Sequence, residues 1–381
     1  MTILTSPRVR RWLVPCAAAV AVLGGGAAIG AVTAAADRAL PPRSAAQLLV
    51  DLQSAKLDGF SGTVVARADL GLPPMSSPDG GPDLGSLLSG THTVRVWFAG
   101  PNQARVALLG PLGETDVINN GTDQWIWSSR LNSAVHHTTS GADGKPHAGT
   151  GIPASPFPTG LPSLGQGGPE QIAGLAMTLL GQTATVTSSG PTTVAGRDAY
   201  ELVVSPKDLS SRIGSIRLAI DAQAHIPLRL QVFARGAGTP AVEIGFTQIS
   251  LTKPDPAEFT FNPPPGTKIV EAPAAGPDAG KDTPKPGGKP AGSGFAVVGS
   301  GWTSVLVFRL PAATDGGTGT ADLDRAFASL PEVSGAFGHG RILAGSLFSV
   351  LHTDDGRVLL GAVGPEQLTQ AAADPAAALH S

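Results

Sequence analysis

Apolar and polar positions alternate with a period of two through most of the stretch from Arg197 to Phe261. Tyr200, Leu202 and Val204 alternate with Glu201 and Val203, and Ile216, Leu218 and Ile220 with Arg217 and Ala219. Leu228, Leu230 and Val232 then alternate with Arg229 and Gln231, and Val242, Ile244 and Phe246 with Glu243 and Gly245. Turn residues interrupt the pattern at Asp221–Pro227 and Arg235–Pro240. Such a series predicts successive antiparallel strands, each with one face in water and one face that something must cover.

Upstream, Ser44-Ala45-Ala46-Gln47 has the spacing of a capping box, so a helix is expected to start there and run to Asp58-Gly59, with Leu48, Leu49 and Leu52 on its apolar stripe. Strands are predicted at Thr63–Ala68, at Val94, Val96 and Phe98, and at Arg105–Leu108. Glu114–Ile118 and Gln124–Ser128 read as a hairpin turned on Asn120-Gly121, with Trp125 and Trp127 on one face and Ile126 on the other. Gly168-Pro169-Glu170 opens a second helix, in which Ile172, Leu175 and Leu179 recur at helical spacing. Further strands follow at Thr183–Thr187 and Thr192–Val194, and long Gly/Pro-rich loops are expected at Gly71–Gly90 and Ser140–Gly168. The expectation is a mainly β fold over residues 38–270: a curved antiparallel half-barrel of about eleven strands covered by two helices.

Residues 271–294 are a run of Pro, Gly, Ala and Lys with nothing to bury, read as a disordered linker. Beyond it, 295–381 is expected to be a small α+β domain. Its elements are a strand at Ala296–Leu310, a helix at Ala321–Leu330, a hairpin of Leu343–Leu351 with Val358–Val363, and a last helix at Pro365–Ala373. At the other end, Arg8, Arg10 and Arg11 precede a charge-free apolar stretch, Trp12–Ala36. Residues 1–37 therefore read as a signal peptide or an N-terminal membrane anchor, which puts the rest of the chain outside the cytoplasm, secreted or held at the cell envelope.

Charge changes this picture only by exclusion. Of 381 residues 14% are charged and the formal net charge is -3, so there is no basic footprint for nucleic acid. The single cysteine, Cys16, lies in the apolar stretch, which leaves the exported part without a thiol nucleophile, a disulfide or a cysteine metal site. No Gly-x-Ser-x-Gly elbow, phosphate-cradling loop or His-Glu-x-x-His motif occurs. His136 and His137 are adjacent in a strand and point to opposite faces, so they cannot chelate one ion together. The reading is of a non-enzymatic protein with no cofactor and no metal.

A sheet this wide roofed by two short helices leaves room for an apolar cavity. The candidate lining is Val94, Val96, Phe98, Val106, Leu108, Trp125, Trp127, Leu228, Leu230 and Val232. Alternation identifies the two faces of each strand without saying which is turned inward.

The order of these segments carries a likeness. A capped N-terminal helix, paired strands, Gly100-Pro101-Asn102 and then Asn120-Gly121-Thr122-Asp123-Gln124-Trp125-Ile126-Trp127 resemble the LolA-type lipoprotein-carrier superfamily, with its RseB/MucB and LppX/LprG branches. Val194–Leu202, Ile220-Asp221 through Pro227-Leu228, and Phe259–Gly266 are similar to that superfamily's later strands and closing Pro-Gly motif. The resemblance covers about residues 44 to 270. It implies an open half-barrel that holds acyl chains under helical lids, here Leu48, Leu49 and Leu52 of the first helix and Ile172, Leu175 and Leu179 of the second. Where the superfamily's carriers have an Arg-Pro pair this chain has Gly100-Pro101, so the arginine that latches the lid has no counterpart.

Two functions are expected from this. The first is an exported carrier of an acyl lipid or lipoprotein, exchanging with a membrane transporter. The alternative is an envelope-stress regulator of the RseB/MucB kind that binds a membrane anti-sigma protein.

Overall fold

The chain's architecture is available as a computed structural model, which describes residues 40–72, 89–111, 113–138, 181–271, 295–309, 327 and 329–374. The expected export segment, the second lid helix with Ile172, Leu175 and Leu179, the linker and most of the helix at 321–330 lie outside the described residues.

The capping box forms as expected. Ser44 Oγ accepts from the Gln47 amide at 3.3 Å, and the Ser44 amide donates to Gln47 Oε1 at 2.9 Å. Helix α1 runs Ala45–Ser54, ending before the expected Asp58-Gly59, and its buried Leu48 and Leu49 pack it on the sheet.

The first sheet has twelve strands: β1 (Phe60–Ala68), β2 (Gly90–Phe98), β3 (Gln103–Gly110), β4 (Gly113–Asn120), β5 (Asp123–Ser128), β6 (Ser133–Thr138), β7 (Ala184–Val194), β8 (Arg197–Pro206), β9 (Ile213–Asp221), β10 (Pro227–Ala234), β11 (Pro240–Ser250) and β12 (Lys268–Glu271). Their spatial order is β12-β6-β5-β4-β3-β2-β1-β11-β10-β9-β8-β7, an open sheet with β12 and β7 at its edges. Two antiparallel meanders, β1–β6 and β7–β11, are joined by the pairing of β1 with β11. Only β12 is parallel to its neighbour, β6. The Asn120-Gly121 turn closes the β4–β5 hairpin as read, with Gly121 at φ 71°, a value that costs glycine little. The two short strands expected around 183–194 are one, β7, carrying an irregularity between Ser189 and Pro191.

One expectation about water fails in β8. Ala199, Tyr200, Glu201 and Leu202 are all buried, so this strand is covered on both faces. Glu201 is tolerated there because Ser189 Oγ donates to it at 2.9 Å and Arg229 Nη2 at 3.3 Å.

The second sheet contains β13 (Phe295–Val298), β14 (Val305–Arg309), β15 (Glu332–Gly335), β16 (Gly338–Ala344), β17 (Ser349–Thr353) and β18 (Arg357–Gly361), in the order β13-β14-β18-β17-β16-β15. Helix α2 (Pro365–Ala372) buries Leu368, Ala371 and Ala372 against Val307, Leu351 and Leu359. The single strand expected at 296–310 is a β13–β14 hairpin instead. Leu343 belongs to β16, while β17 and β18 make the hairpin over Asp354-Asp355-Gly356.

From Arg43 onward the chain is one compact unit by its contacts. Leu70, Ala241 and Leu347 form a buried cluster between the sheets, with Leu72, Val232 and Phe348 packed against it. The Ser346 amide donates to the Leu70 carbonyl at 2.7 Å, and the Arg212 amide to the Ala362 carbonyl at 2.8 Å. Ser211 and Val363 form an isolated antiparallel bridge beside them.

Candidate functional site

Directly paired residues of neighbouring strands share a face, so the register settles what alternation left open. Val94 pairs with Leu108, and Val96 with Val106. On the other side of the β1–β11 joint, Leu230 pairs with Ile244 and Val232 with Val242. Those two lie opposite Ala66 and Ala68, which share a face with Val64 and its partner Val94. Val94, Val96, Phe98, Val106, Leu108, Leu230 and Val232 therefore line one face, here the valine face. Leu228, beside an irregularity between Pro227 and Arg229, is buried in the same cluster as Val96, Phe60 and Phe246.

Trp125 and Trp127 lie on the other face. Ile118 pairs with Trp125 and Asp116 with Trp127, while the valine face takes Val117 and Ile126. The two tryptophans cannot line a cavity together with the eight aliphatic and phenylalanine candidates. They hold a strap of chain: residues 251–267 leave β11, form a 3-10 turn at Pro256–Phe259 against β3 and β4, and lay Phe261 at 4.9 Å from Trp125 and 6.1 Å from Trp127 between ring centres. The strap ends in β12. The sequence signal for this was present in Phe259-Thr260-Phe261, two aromatics one residue apart that need an apolar partner.

The valine face contains one continuous cross-strand row. Val96, Val106, Val117, Ile126, Val135 and Val270 are each directly opposite the next, across β2, β3, β4, β5, β6 and β12. Burial falls along it: Val96 is 4% exposed, whereas Ile126, Val135 and Val270 are 52%, 39% and 46% exposed. Polar rows flank the exposed half, Asn119, Gln124 and His137 on one side and Thr115, Ser128 and Ser133 on the other. The candidate lining thus divides into a filled part, where Val96, Leu108 and Leu228 are buried, and an open apolar stripe that reaches the β12 edge.

Four pockets formed by described residues lie elsewhere. One of about 240 Å3 opens beside Arg67, Arg229 and Glu243, one of about 290 Å3 beside Arg95 and Trp97, and one of about 390 Å3 beside Arg217 and Phe233. A fourth, of about 320 Å3, lies on the second sheet beside His339 and Asp354. None of the four is lined by a candidate residue.

The histidines separate as expected. His136 stacks on Trp125 at 4.0 Å, with Nδ1 at 2.8 Å from Glu271 and Nε2 at 3.1 Å from Asp123. His137 is on the valine face. Among the described residues no group of three or more His, Cys, Asp or Glu side chains is placed to hold a metal ion, and no helix is long and apolar enough to cross a membrane.

Fold and face together define a chain that offers an apolar strip on an open sheet. No protein-family model matches it, and no curated protein matches its sequence. Among solved structures it is similar to the Pseudomonas aeruginosa MucA/MucB complex structure, at 17% identity over 86% of this chain and 96% of that one, with a TM-score of 0.43. It is also similar to the LolA superfamily protein NE2245 from Nitrosomonas europaea, at 12% identity over 58% of this chain and 99% of that one, TM-score 0.21. A third is a putative outer membrane lipoprotein-sorting protein domain from Vibrio parahaemolyticus, at 11% identity over 54% and 92%, TM-score 0.21.

Proposed function

We propose that this chain is a non-enzymatic binding protein of the cell envelope that holds the acyl chain of a lipid or lipoprotein along the valine stripe. The observation that carries the reading is the stripe itself, one residue wide, apolar throughout and exposed at its outer end. Strands lie about 4.8 Å apart, so Val117 to Val270 spans about 14 Å. One leaflet's share of a bilayer core is about 15 Å. A single acyl chain laid across the strands therefore matches the length from half-buried Val117 to exposed Val270, with Gln124, His137, Ser128 and Ser133 beside it for polar groups. Each buried methylene contributes about 0.8 kcal/mol, which favours transfer from water and keeps spontaneous escape from a membrane slow.

Organic extraction of the purified protein followed by mass spectrometry tests this, together with titration of a fluorescent acyl probe. Bound lipid and saturable uptake are expected. Repeated absence of both rejects the carrier.

The docked second sheet supports a second reading, in which the protein is a stress regulator that captures a membrane anti-sigma protein. The hydrogen bonds at Leu70–Ser346 and Arg212–Ala362 hold both sheets as one surface that a partner could span. Capture of such a partner by the wild type, and its loss in a Leu347→Asp variant that still takes up acyl probe, would favour the regulator over the carrier.

A further inference from the structure

Asp116 lies on the tryptophan face of β4, 1% exposed, beneath the strap. Arg105 Nη2 donates a short hydrogen bond to its Oδ2, and Arg105 Nη1 reaches the Glu258 carbonyl of the strap at 3.4 Å. Three further polar atoms around this point are buried and have no hydrogen-bond partner among the described residues: Asp116 Oδ1, Arg105 Nε and Trp127 Nε1. Trp127 is directly opposite Asp116 in the ladder, and its ring also carries the strap through Phe261. A buried carboxylate with one oxygen unpaired is costly, whereas a carboxylic acid in the same place is much less so.

We propose that Asp116 is a proton-operated latch for the strap and for the edge strand β12 that the strap delivers. With Asp116 protonated the strap lies closed over it. Ionisation favours a state in which the strap lifts and water reaches the carboxylate. Lifting also loosens β12, which carries Val270, the outer end of the valine stripe.

The groups facing Asp116 set the direction. Burial pushes its carboxyl up to about 7, a hydrogen bond shared with the Glu114 carboxyl on the same strand and the charge of that group add to this, and Arg105 on β3, which also lies 3.9 Å from Glu114, opposes it. From β5 the facing group is the uncharged Trp127. The strap presents the Glu258 carbonyl to Arg105, while its Asp255 is engaged in capping the Ala257 amide. Arg95 stands over the Trp97 ring that Arg105 also covers, at 5.0 and 5.1 Å. One row away, His136 lies between Asp123 and Glu271. A group bound more tightly to its proton when closed than when open makes closure favourable in acid and progressively less so as pH rises to the closed-state value.

Hydrogen exchange of the strap and β12 amides in the full-length protein, corrected for intrinsic rates, tests the latch between pH 4 and 8. The expected result is an opening equilibrium that rises by up to tenfold per pH unit between about 4 and 7 and levels off above. The amides of β8 and β9 should not follow it. In Asp116→Asn the rise should vanish. A flat wild-type profile, a rise shared by β8 and β9, or an unchanged rise in Asp116→Asn would each overturn the proposal. Should the variant not fold, the wild-type profile and the β8–β9 comparison still decide.

Discussion

Two aspartates with the same near-complete burial show how partners decide the cost of a charge. Asp221 accepts from Arg197 Nε through a short hydrogen bond and from Arg197 Nη2 at 3.0 Å, and also from the Gln223 and Ala224 amides at 2.9 and 2.6 Å. Burial works against its ionisation, but Arg197 and the two amides outweigh it and hold the carboxyl below the usual range. Its contribution to stability is present above the ordinary aspartate value and is lost as pH falls through the depressed one. Replacing it in Asp221→Ala, which strands Arg197 and two turn amides, is expected to cost about 3–5 kcal/mol in denaturant unfolding at pH 7. Asp116 has the opposite sign, since burial and the neighbouring Glu114 carboxyl outweigh Arg105. At the same scale, Ser44→Ala removes the helix cap and should cost about 1 kcal/mol, read from the urea midpoint.

At the scale of elements, the strands were legible wherever water wets one face, because alternation is the imprint of that asymmetry. Alternation finds the strand at Ala199–Leu202 but not that both its faces are covered, and it cannot relate one strand's faces to another's. Trp125 and Trp127 lie on the face opposite the aliphatic candidates, and they are apolar and regularly spaced, so nothing within β5 tells that a later strap covers them. The irregularity opposite Thr63 and Val64, where Thr247 is inserted, is likewise invisible in composition, yet it governs how β11 meets β1. The valine stripe is visible only when five registers are taken together. Its exposed end gives a direct prediction. Ile126→Asp, at a half-exposed position, should lower acyl-probe affinity at least tenfold while leaving the thermal midpoint within about 2 °C, since surface substitutions usually change stability by less than 0.5 kcal/mol.

For the whole molecule, length and composition made two folded regions visible, and the Pro/Gly-rich run at 271–294 marked a place between them. The second sheet is fastened through Leu347 and Phe348, in a turn that looks unremarkable in sequence because its apolar residues number only two. Gly345 is needed there, since a side chain would come within 3.0 Å of the Leu70 carbonyl and 3.1 Å of the Phe348 carbonyl. Leu347→Asp should put a charge into that cluster and divide a single thermal transition into two, measurable by calorimetry, while the circular dichroism of the native state changes little.

The pairing of β1 with β11 has a kinetic side. Phe60–Ala68 finds its partner only when residues 242–250 have been made, so the two meanders cannot be sewn into one sheet until nearly two-thirds of the polypeptide has emerged. Closing so long a loop is slow compared with forming local turns. That delay would serve the envelope location proposed above, because a translocation channel accepts an unravelled thread and rejects a finished sheet.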